Sequence, residues 1–243
     1  MEYRFTDMHC HILPGVDDGA RDIEESRQML QMAYNEGIRF IIATPHYHIH
    51  RGHAKVNVWK EKLEQVRQEA SRIAPELLVY LGNEIYWGHD IPEKLSKGRV
   101  LTMNHRDVVL LEFSPSDDFQ RIHQGLQLTQ TSGNDVILAH AERYRCLLED
   151  VELVEEIHKM NVKIQINAGS MLGEGGRSAK KFVKELMDRD LVFCVGTDAH
   201  DTKKRPPRMK KAALYVKRKY GEEYMRKIFF SNAAGLLRKE KAL

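Results

Sequence analysis

Seven short hydrophobic runs, rich in β-branched and aromatic residues, recur along the chain and are separated by segments of mixed polarity. Within each run the apolar character is nearly continuous, which is typical of strands covered on both faces of a parallel sheet. The predicted strands are Tyr3–Met8, Ile38–Thr44, Leu77–Asn83, Val108–Phe113, Asp135–Ala139, Val162–Asn167 and Leu191–Thr197. The runs therefore predict a parallel sheet.

The segments between these runs show helical spacing. Asp22 is placed to cap a helix that ends at Gly37, and Trp59 begins an apolar stripe that runs to Ile73 at spacings of four and three. Further helical patterns cover residues 119–131, 151–160, 178–187 and the stretch from 207 to the C-terminus. Because strands and helices alternate without a linker, we predict a single α/β domain, and the regular alternation suits a closed barrel better than an open sheet.

Composition excludes several classes of protein. The 243 residues include 38 Lys+Arg and 35 Asp+Glu, a net charge of +3, which argues against a general nucleic-acid coat or a membrane-surface protein. Three cysteines are too few and odd in number for a disulfide framework. The first residues contain no apolar signal-peptide core, and no run approaches the roughly 18 apolar residues of a membrane span. We therefore expect a globular protein of the cytoplasm.

Ionisable residues fall at the ends of six of the seven predicted strands. They are His9 and His11, His46, Glu84, Glu112, His140, and the pair Asp198 and His200, while the sixth strand ends at Asn167. In a barrel of alternating strands and helices, the carboxyl ends of the strands meet on one face. Each residue alone is a weak signal, since a single loop histidine or carboxylate is common. Together, five imidazoles and several carboxylates in one pocket would be costly without bound metal ions.

The motifs that carry these residues resemble a known family. They are H-C-H-I-L-P-G-V-D-D-G-A at 9–20, A-T-P-H at 43–46, G-N-E at 82–84, L-E-F at 111–113, A-H-A-E-R at 139–143 and G-T-D-A-H at 196–200. The chain resembles the PHP (polymerase and histidinol phosphatase) superfamily, and within it the CpsB/CapC group of bacterial tyrosine-protein phosphatases from capsule and exopolysaccharide loci. The resemblance covers essentially all of residues 1–243. It implies one metallophosphatase domain with the PHP fold, a distorted seven-stranded (β/α)7 TIM-like barrel.

The resemblance also implies three divalent metal ions, often manganese, and a mixed imidazole–carboxylate set is equally compatible with iron or zinc. The first ion is assigned to His9, His11, Glu84 and Asp198; Glu84 bridges to a second ion completed by Glu112 and His140; and Asp18, His46 and His200 hold the third. His200 or a metal-bound water is the candidate proton donor. Cys10 lies between two predicted ligands, but strand alternation turns it away, so it is expected to pack in the core.

Phosphate chemistry also needs cations. Arg143 and Arg205 follow predicted ligands closely, and the resemblance makes both catalytic and phosphate-binding, consistent with the fit of a guanidinium fork to phosphate oxygens. Residues 203–219 add nine Lys/Arg and no acids, either a solvated helix face or a rim that attracts acidic phosphopeptides. The loop histidines His48, His50 and His53 fall outside the family pattern and are expected near the mouth of the site.

The leading hypothesis is hydrolysis of protein phosphotyrosine, with the tail of a bacterial tyrosine autokinase as the implied partner and no nucleic acid. A cysteine-dependent phosphatase is excluded, since C-x5-R would place arginine where Val16, Glu152 and His200 stand. The alternatives are another PHP phosphoesterase, similar to histidinol phosphatase or to a nuclease, and a non-catalytic module stabilised by metal. Comparing activity on phosphotyrosine with activity on a nucleotide diester discriminates between the two enzyme hypotheses. The absence of one or more metal ligands would indicate the non-catalytic module.

Overall fold

The computed structural model describes residues 4–48 and 55–237, and its strands all pair in parallel. The strands of these residues are β1 (Phe5–Cys10), β2 (Ile38–Ala43), β3 (His46–Tyr47), β4 (Leu78–Leu81), β5 (Glu84–Tyr86), β6 (Val108–Glu112), β7 (Asp135–Leu138), β8 (Lys163–Asn167) and β9 (Cys194–Gly196). They form two sheets, ordered β1-β2-β4 and β3-β5-β6-β7-β8-β9. The predicted mixed α/β fold with parallel, curled sheets is confirmed.

The second and third predicted strands correspond to β2 and β4, and each is followed after a short break by a strand that the sequence did not predict, β3 and β5. Pro45 stands at the first break and has no N–H to continue a ladder. At the second break, Asn83 Nδ2 donates to the carbonyl oxygen of Pro45 at 2.8 Å and fills the gap between the strands. Beyond the breaks, His46 and Glu84 are direct partners in the register of β3 and β5. The interruption therefore sets two predicted ligands side by side.

Two other strand predictions need correction. β1 begins at Phe5 and extends to Cys10, so His9 lies inside the strand rather than after it; Tyr3 lies outside the described residues. The seventh strand was predicted from Leu191 but β9 covers three residues only. The backbone N–H of Leu191 donates to the carbonyl oxygen of Leu186 at 2.9 Å, so this segment still completes the end of a helix.

The α-helices of the described residues are α1 (Ile23–Asn35), α2 (Val56–Ile73), α3 (Ile91–Ser96), α4 (Phe119–Thr131), α5 (Arg145–Glu149), α6 (Glu152–Lys159), α7 (Ala168–Leu172), α8 (Gly176–Asp188), α9 (Lys210–Tyr220), α10 (Glu222–Arg226) and α11 (Asn232–Leu237). Asp22 caps α1 as predicted, with Oδ1 accepting from the N–H of Glu25 at 2.9 Å. Gly221, at φ +91°, ends α9, so the pattern predicted from residue 207 onward forms several helices rather than one.

The apolar core lies mainly between the sheets and the helices. A second cluster joins side chains from five strands with three residues from outside the strands: Met8, Ile42, Val108, Leu110, Ile137 and Cys194, with Met103, Ala139 and Ala233. The first and last strands also meet, since Asp198 N donates to the carbonyl oxygen of His9 at 2.7 Å and His11 N to that of Ala199 at 2.8 Å. Among residues 4–48 and 55–237, no helix is both long and apolar enough to cross a bilayer.

Candidate metal centre

The nine residues predicted as metal ligands meet in one place, at the carboxyl ends of the strands. They are His9, His11, Asp18, His46, Glu84, Glu112, His140, Asp198 and His200. Most are buried, whereas the side chains of His46 and Asp18 are 31% and 69% exposed and lie at the mouth. Asp18 is supplied by the loop before α1. This loop packs tightly, because a Cβ on Gly19 would lie 2.2 Å from the carbonyl oxygen of His11.

Glu84 lies at the centre of the site and is 1% exposed. Its Oε2 atom lies 3.0–3.1 Å from a ring nitrogen of each of three histidines, His9, His11 and His46. Its Oε1 atom lies 2.7 Å from His140 Nε2. The buried Oε2 atom nevertheless forms no hydrogen bond of normal geometry within the described residues. The three ring nitrogens and Glu84 Oε2 therefore point toward common positions between them and do not point at one another.

These positions suit a divalent cation. His9 Nε2 and His11 Nε2 are 3.1 Å apart. Two ligands that each lie about 2.0–2.1 Å from one ion are separated by roughly 3 Å. Imidazole nitrogens combined with carboxylate oxygens are a donor set suited to manganese, iron or zinc. The residues present therefore fit the metal ions that the sequence implied.

Three groups of ligand atoms lie close enough to hold an ion, each within 4.8 Å of one another. They are His9, His11, Glu84 and Asp198; His11, Asp18, His46 and His200; and His46, Glu84 and Glu112. The sequence divided the same residues in nearly the same way, but placed His140 with Glu84 and Glu112. His140 Nε2 lies near both carboxylates, 2.7 Å from Glu84 and 3.7 Å from Glu112.

Hydrogen bonds orient three of the rings. His11 Nδ1 lies 2.9 Å from Asp17 Oδ2, and His200 Nδ1 lies 3.0 Å from the carbonyl oxygen of Asp198. Acceptors at Nδ1 keep the proton there and leave the Nε2 lone pair facing the site, the usual arrangement for a metal-binding histidine. Asp17 also accepts from the backbone N–H of His46 at 2.9 Å. The sequence reasoning missed Asp17, since spacing alone could not separate it from Asp18.

Gln165 fixes a third ring, His9. The backbone N–H of His140 donates to Gln165 Oε1 at 2.8 Å, and since that N–H can only donate, the amide oxygen must face it. The same oxygen lies 3.2 Å from His9 Nδ1, which therefore carries the proton. Gln165 Nε2 donates to Asn167 Oδ1 at 2.9 Å, and Asn167 Nδ2 donates to Asp198 Oδ2 at 2.9 Å. Gln165 and Asn167 are polar residues at alternate positions of β8, and this pattern is the sequence signal that could have indicated the hydrogen-bonded relay.

A Gln165→Leu variant is expected to bind divalent metal about 10–100-fold more weakly, because the acceptor that orients His9 is lost. Affinity is measured by titration against a competing chelator. A Gln165→Glu variant loses the donor to Asn167 but keeps the oxygen acceptor that orients His9. It is therefore expected to recover most of the affinity. If the leucine variant binds metal as tightly as the original protein, the relay does not orient His9.

Two site residues adopt a left-handed backbone. His140 has φ +31° and Asp198 has φ +54°, a region that costs of order 1–3 kcal/mol for a residue other than glycine. Each is held by the hydrogen bond of its own N–H, from His140 to Gln165 and from Asp198 to the carbonyl oxygen of His9. Such conformations cluster at functional sites, where the surrounding structure fixes them.

Burial and neighbouring charges shift the pKa values of the site residues. Burial would lower the pKa of His46, but Asp18 and Glu112 raise it to about 11. Burial would raise the pKa of Glu84, yet His9 and the neighbouring rings hold it well below its usual value. Burial and the nearby His11 lower the pKa of His200. The carboxylates therefore stay ionised and attract positive charge, and a bound metal would displace protons from the rings.

Arg143 and Arg205 lie beside these ligands. Arg143 Nη2 donates to Asp198 Oδ2, and Arg205 Nη2 lies 2.6 Å from Asp198 Oδ1. Their side chains are 40% and 38% exposed, so both also face an open cleft of about 820 Å³. The two arginines thus stand where the sequence placed them, between the ligands and the solvent.

A second pocket of about 440 Å³ opens beside Asp18, His46 and Glu112, and the aromatic residues Tyr86 and His48 line its wall. The His48 ring stacks on Tyr86, with centroids 4.3 Å apart and 21° between the planes. The expectation that His48 lies near the mouth is confirmed. His50 and His53 lie outside the described residues.

Comparison with known proteins places this site in a family. Residues 5–238 match the model of the family "Capsular polysaccharide synthesis, CpsB/CapC". The chain is 34% identical over 231 residues to the tyrosine-protein phosphatase CpsB of Streptococcus pneumoniae, covering 93% of this chain and 95% of that protein. It is 33% identical over 244 residues to the tyrosine-protein phosphatase YwqE of Bacillus subtilis, covering 96% and 92%.

Solved structures agree. A structure from the work on YwqE of Bacillus subtilis and CpsB of Streptococcus pneumoniae, described as metal-dependent tyrosine phosphatases, superposes with a TM-score of 0.88 at 31% identity, covering 98% of this chain and 96% of that one. A lactonase from Listeria monocytogenes superposes with a TM-score of 0.65 at 12% identity, covering 99% and 96%. The second likeness shows a shared fold alone.

Proposed function

The chain belongs to the CpsB/CapC family, and we propose that it is a metal-dependent phosphatase that hydrolyses phosphotyrosine in proteins. The observation that carries the proposal is the convergence of three ring nitrogens on Glu84 Oε2, directly beside the cations of Arg143 and Arg205. Metal ligands and phosphate-binding arginines are the two components that hydrolysis of a phosphate monoester requires.

We propose three divalent ions, with manganese as the first choice and iron or zinc as alternatives. His9, His11, Glu84 and Asp198 would hold the first ion; Glu84, Glu112 and His140 the second; and Asp18, His46 and His200 the third. When bound, such ions lower the pKa of water, so that a nucleophile forms near neutral pH, and they withdraw charge from phosphate oxygens. His200 Nδ1 lies 3.0 Å from the carbonyl oxygen of Asp198, which keeps the proton on Nδ1 and leaves Nε2 as a ligand rather than a proton donor.

The protein's own residues would then position the substrate. Arg143 contacts one carboxylate oxygen of Asp198 and Arg205 contacts the other, and both side chains extend to the mouth of the site. Their remaining N–H groups can therefore bind phosphoryl oxygens in the transition state. The aromatic wall formed by Tyr86 and the stacked His48 offers a surface for the tyrosine ring. The leaving group is a phenolate whose parent pKa is about 10, so little help from a general acid is needed.

The cysteines do not provide an alternative nucleophile. Cys10 and Cys194 are buried, and burial raises the pKa of both thiols, which opposes formation of a thiolate. Cys10 packs in the hydrophobic core, as expected from strand alternation. Serine at any of the three cysteine positions is therefore expected to leave a metal-loaded enzyme active, which an aryl phosphate assay checks.

We also propose that the strands complete a distorted (β/α)7 barrel and that residues 1–243 form one domain. Joining β2 to β3 and β4 to β5 leaves seven strands in sequential order, and the hydrogen bonds between β1 and the segment after β9 bring the ends of that order together. The side-chain cluster drawn from five strands supports an enclosed interior. The proposed partner is the phosphorylated tail of a tyrosine autokinase in the cytoplasm, in capsule or exopolysaccharide synthesis.

Metal removal tests the proposal. Dialysis against a chelator is expected to abolish hydrolysis of a phosphotyrosine peptide, and added manganese, iron or zinc to restore it. Since only the folded state holds the ions, saturation at about 100 times Kd should add about 2.7 kcal/mol of stability for each site filled, or roughly 5–10 °C in Tm per site. Full activity without metal would contradict the mechanism, and faster turnover of histidinol phosphate or a nucleotide diester would favour another PHP phosphoesterase.

A further inference from the structure

The cleft beside Arg143 and Arg205 is larger than one phosphate needs. Its volume of about 820 Å³ lies in the range of about 300–1,000 Å³ typical of pockets for drug-sized ligands. Arg143, Lys204, Arg205 and Arg208 all line it, and we call it the basic cleft. The two arginines next to the ligands account for the phosphoryl group, which leaves Lys204 and Arg208 without a role in the proposed chemistry.

Lys204 and Arg208 are exposed, and neither side chain has a hydrogen-bond or ion-pair partner within residues 4–48 and 55–237. Elsewhere in the chain, exposed cations commonly pair with a neighbouring acid, as Arg189 does with Glu152 and Glu155. Two unpaired cations facing the same cleft present positive charge to whatever enters it.

The acids of the basic cleft cancel only part of this charge, because two of the three carboxylates in the lining are buried and hydrogen-bonded and one, Glu174, is exposed on the same cleft as the two cations. Asp198 is buried and already contacts both arginines. Glu142 is buried, and its Oε1 accepts from Asn167 N at 2.9 Å and from Ser170 Oγ at 2.8 Å. Glu174 is the exposed acid of the lining. In addition, α8 begins at this wall, and the amino end of a 13-residue helix favours negative charge.

The position of the basic cleft indicates how a substrate would reach it. Pro115 lines both the basic cleft and the pocket of Tyr86 and His48, so the two are adjacent and flank the metal ligands. A phosphotyrosine whose ring lies against the aromatic wall would direct its neighbouring residues over Pro115. The far side of the cleft would then meet a side chain a few residues away in the same substrate.

We propose that the basic cleft is an anion subsite, in which Lys204 and Arg208 bind a second negatively charged group of the phosphotyrosine substrate. This group is a carboxylate of an acidic residue or the phosphate of a second phosphotyrosine. The subsite rests on the proposed phosphatase function and adds a preference among its substrates. It makes Lys204 and Arg208 determinants of peptide selectivity.

The test compares kcat/KM for phosphotyrosine peptides of equal length with neutral flanks, with glutamate flanks, or with a second phosphotyrosine. The original protein is expected to prefer at least one anionic peptide over the neutral one, and the preferred peptide identifies the anion. In a Lys204→Gln/Arg208→Gln variant, the ratio of anionic to neutral peptide should fall by about 10-fold. High salt should reduce the ratio in the original protein.

Lys210→Gln/Lys211→Gln is the matched control, because it removes the same charge from the same basic run but outside the cleft. Its selectivity ratio is expected to stay within about twofold of the original. An equal loss in this control, or a ratio near one in the original protein, overturns the subsite. Hydrolysis of a small aryl phosphate separates the two proposals. If the protein hydrolyses it but shows no preference for anionic peptides, only the subsite is wrong. If metal-loaded protein turns over none of the substrates, the phosphatase function is refuted.

Discussion

A Glu84→Gln variant is expected to lose its metal and its phosphatase activity, the latter by more than about 100-fold, while keeping its fold. The amide has nearly the same shape but is neutral, so it is a poor metal ligand and cannot bridge two ions. Glu84 is buried, and its Oε2 atom faces three ring nitrogens, so the substitution removes a negative charge from the centre of the site. Metal content by elemental analysis and kcat on an aryl phosphate check the prediction.

Circular dichroism and Tm distinguish loss of metal from loss of fold in this variant. Glu64→Gln serves as the control, since Glu64 is a surface carboxylate on α2 whose partner is the exposed Arg67. It should behave as the original protein does. A Glu84→Gln protein that keeps its full metal content and turns over at a near-normal rate would show that Glu84 is not the bridging ligand.

The sequence predicted the site better than it predicted the sheets. All nine proposed ligands and both arginines meet in the structure, because residues at the carboxyl ends of parallel strands lie on one face. The short strands β3 and β5 were missed, since the predicted runs end at Thr44 and Asn83 and the two or three residues of each short strand are too few to show a hydrophobic pattern.

The residues that orient the ligands were also beyond the sequence reasoning. Gln165 and Asn167 are neutral amides, and their contribution depends on which backbone N–H or ring they face. Asp17 and Asp18 are adjacent in the chain, yet one binds His11 Nδ1 and the other faces His46 and His200. Spacing along the sequence identifies candidate metal ligands. The residues that orient those ligands by hydrogen bonds can be assigned only from the three-dimensional structure.

The two arginines allow a test of catalysis apart from metal binding. Arg143→Ala and Arg205→Ala are each expected to lower kcat on a small aryl phosphate by about 100–1,000-fold, or ~2.7–4 kcal/mol of transition-state stabilisation, with metal retained. Lysine at either position should restore only part of the rate, because an ammonium cannot reproduce the bidentate guanidinium fork. Metal content, kcat and KM are measured for every variant.

The contacts of both arginines with Asp198 make the metal measurement decisive. If the arginines act mainly by holding this carboxylate, their removal should release metal, and added metal should recover the rate. If they bind the phosphoryl group, metal stays and the loss persists at saturating metal. Arg189→Ala is the control, since Arg189 also pairs with carboxylates but lies far from the site along the surface of α6 and α8. Alanine variants of Arg143 and Arg205 that both match the original rate would remove the arginines from the mechanism.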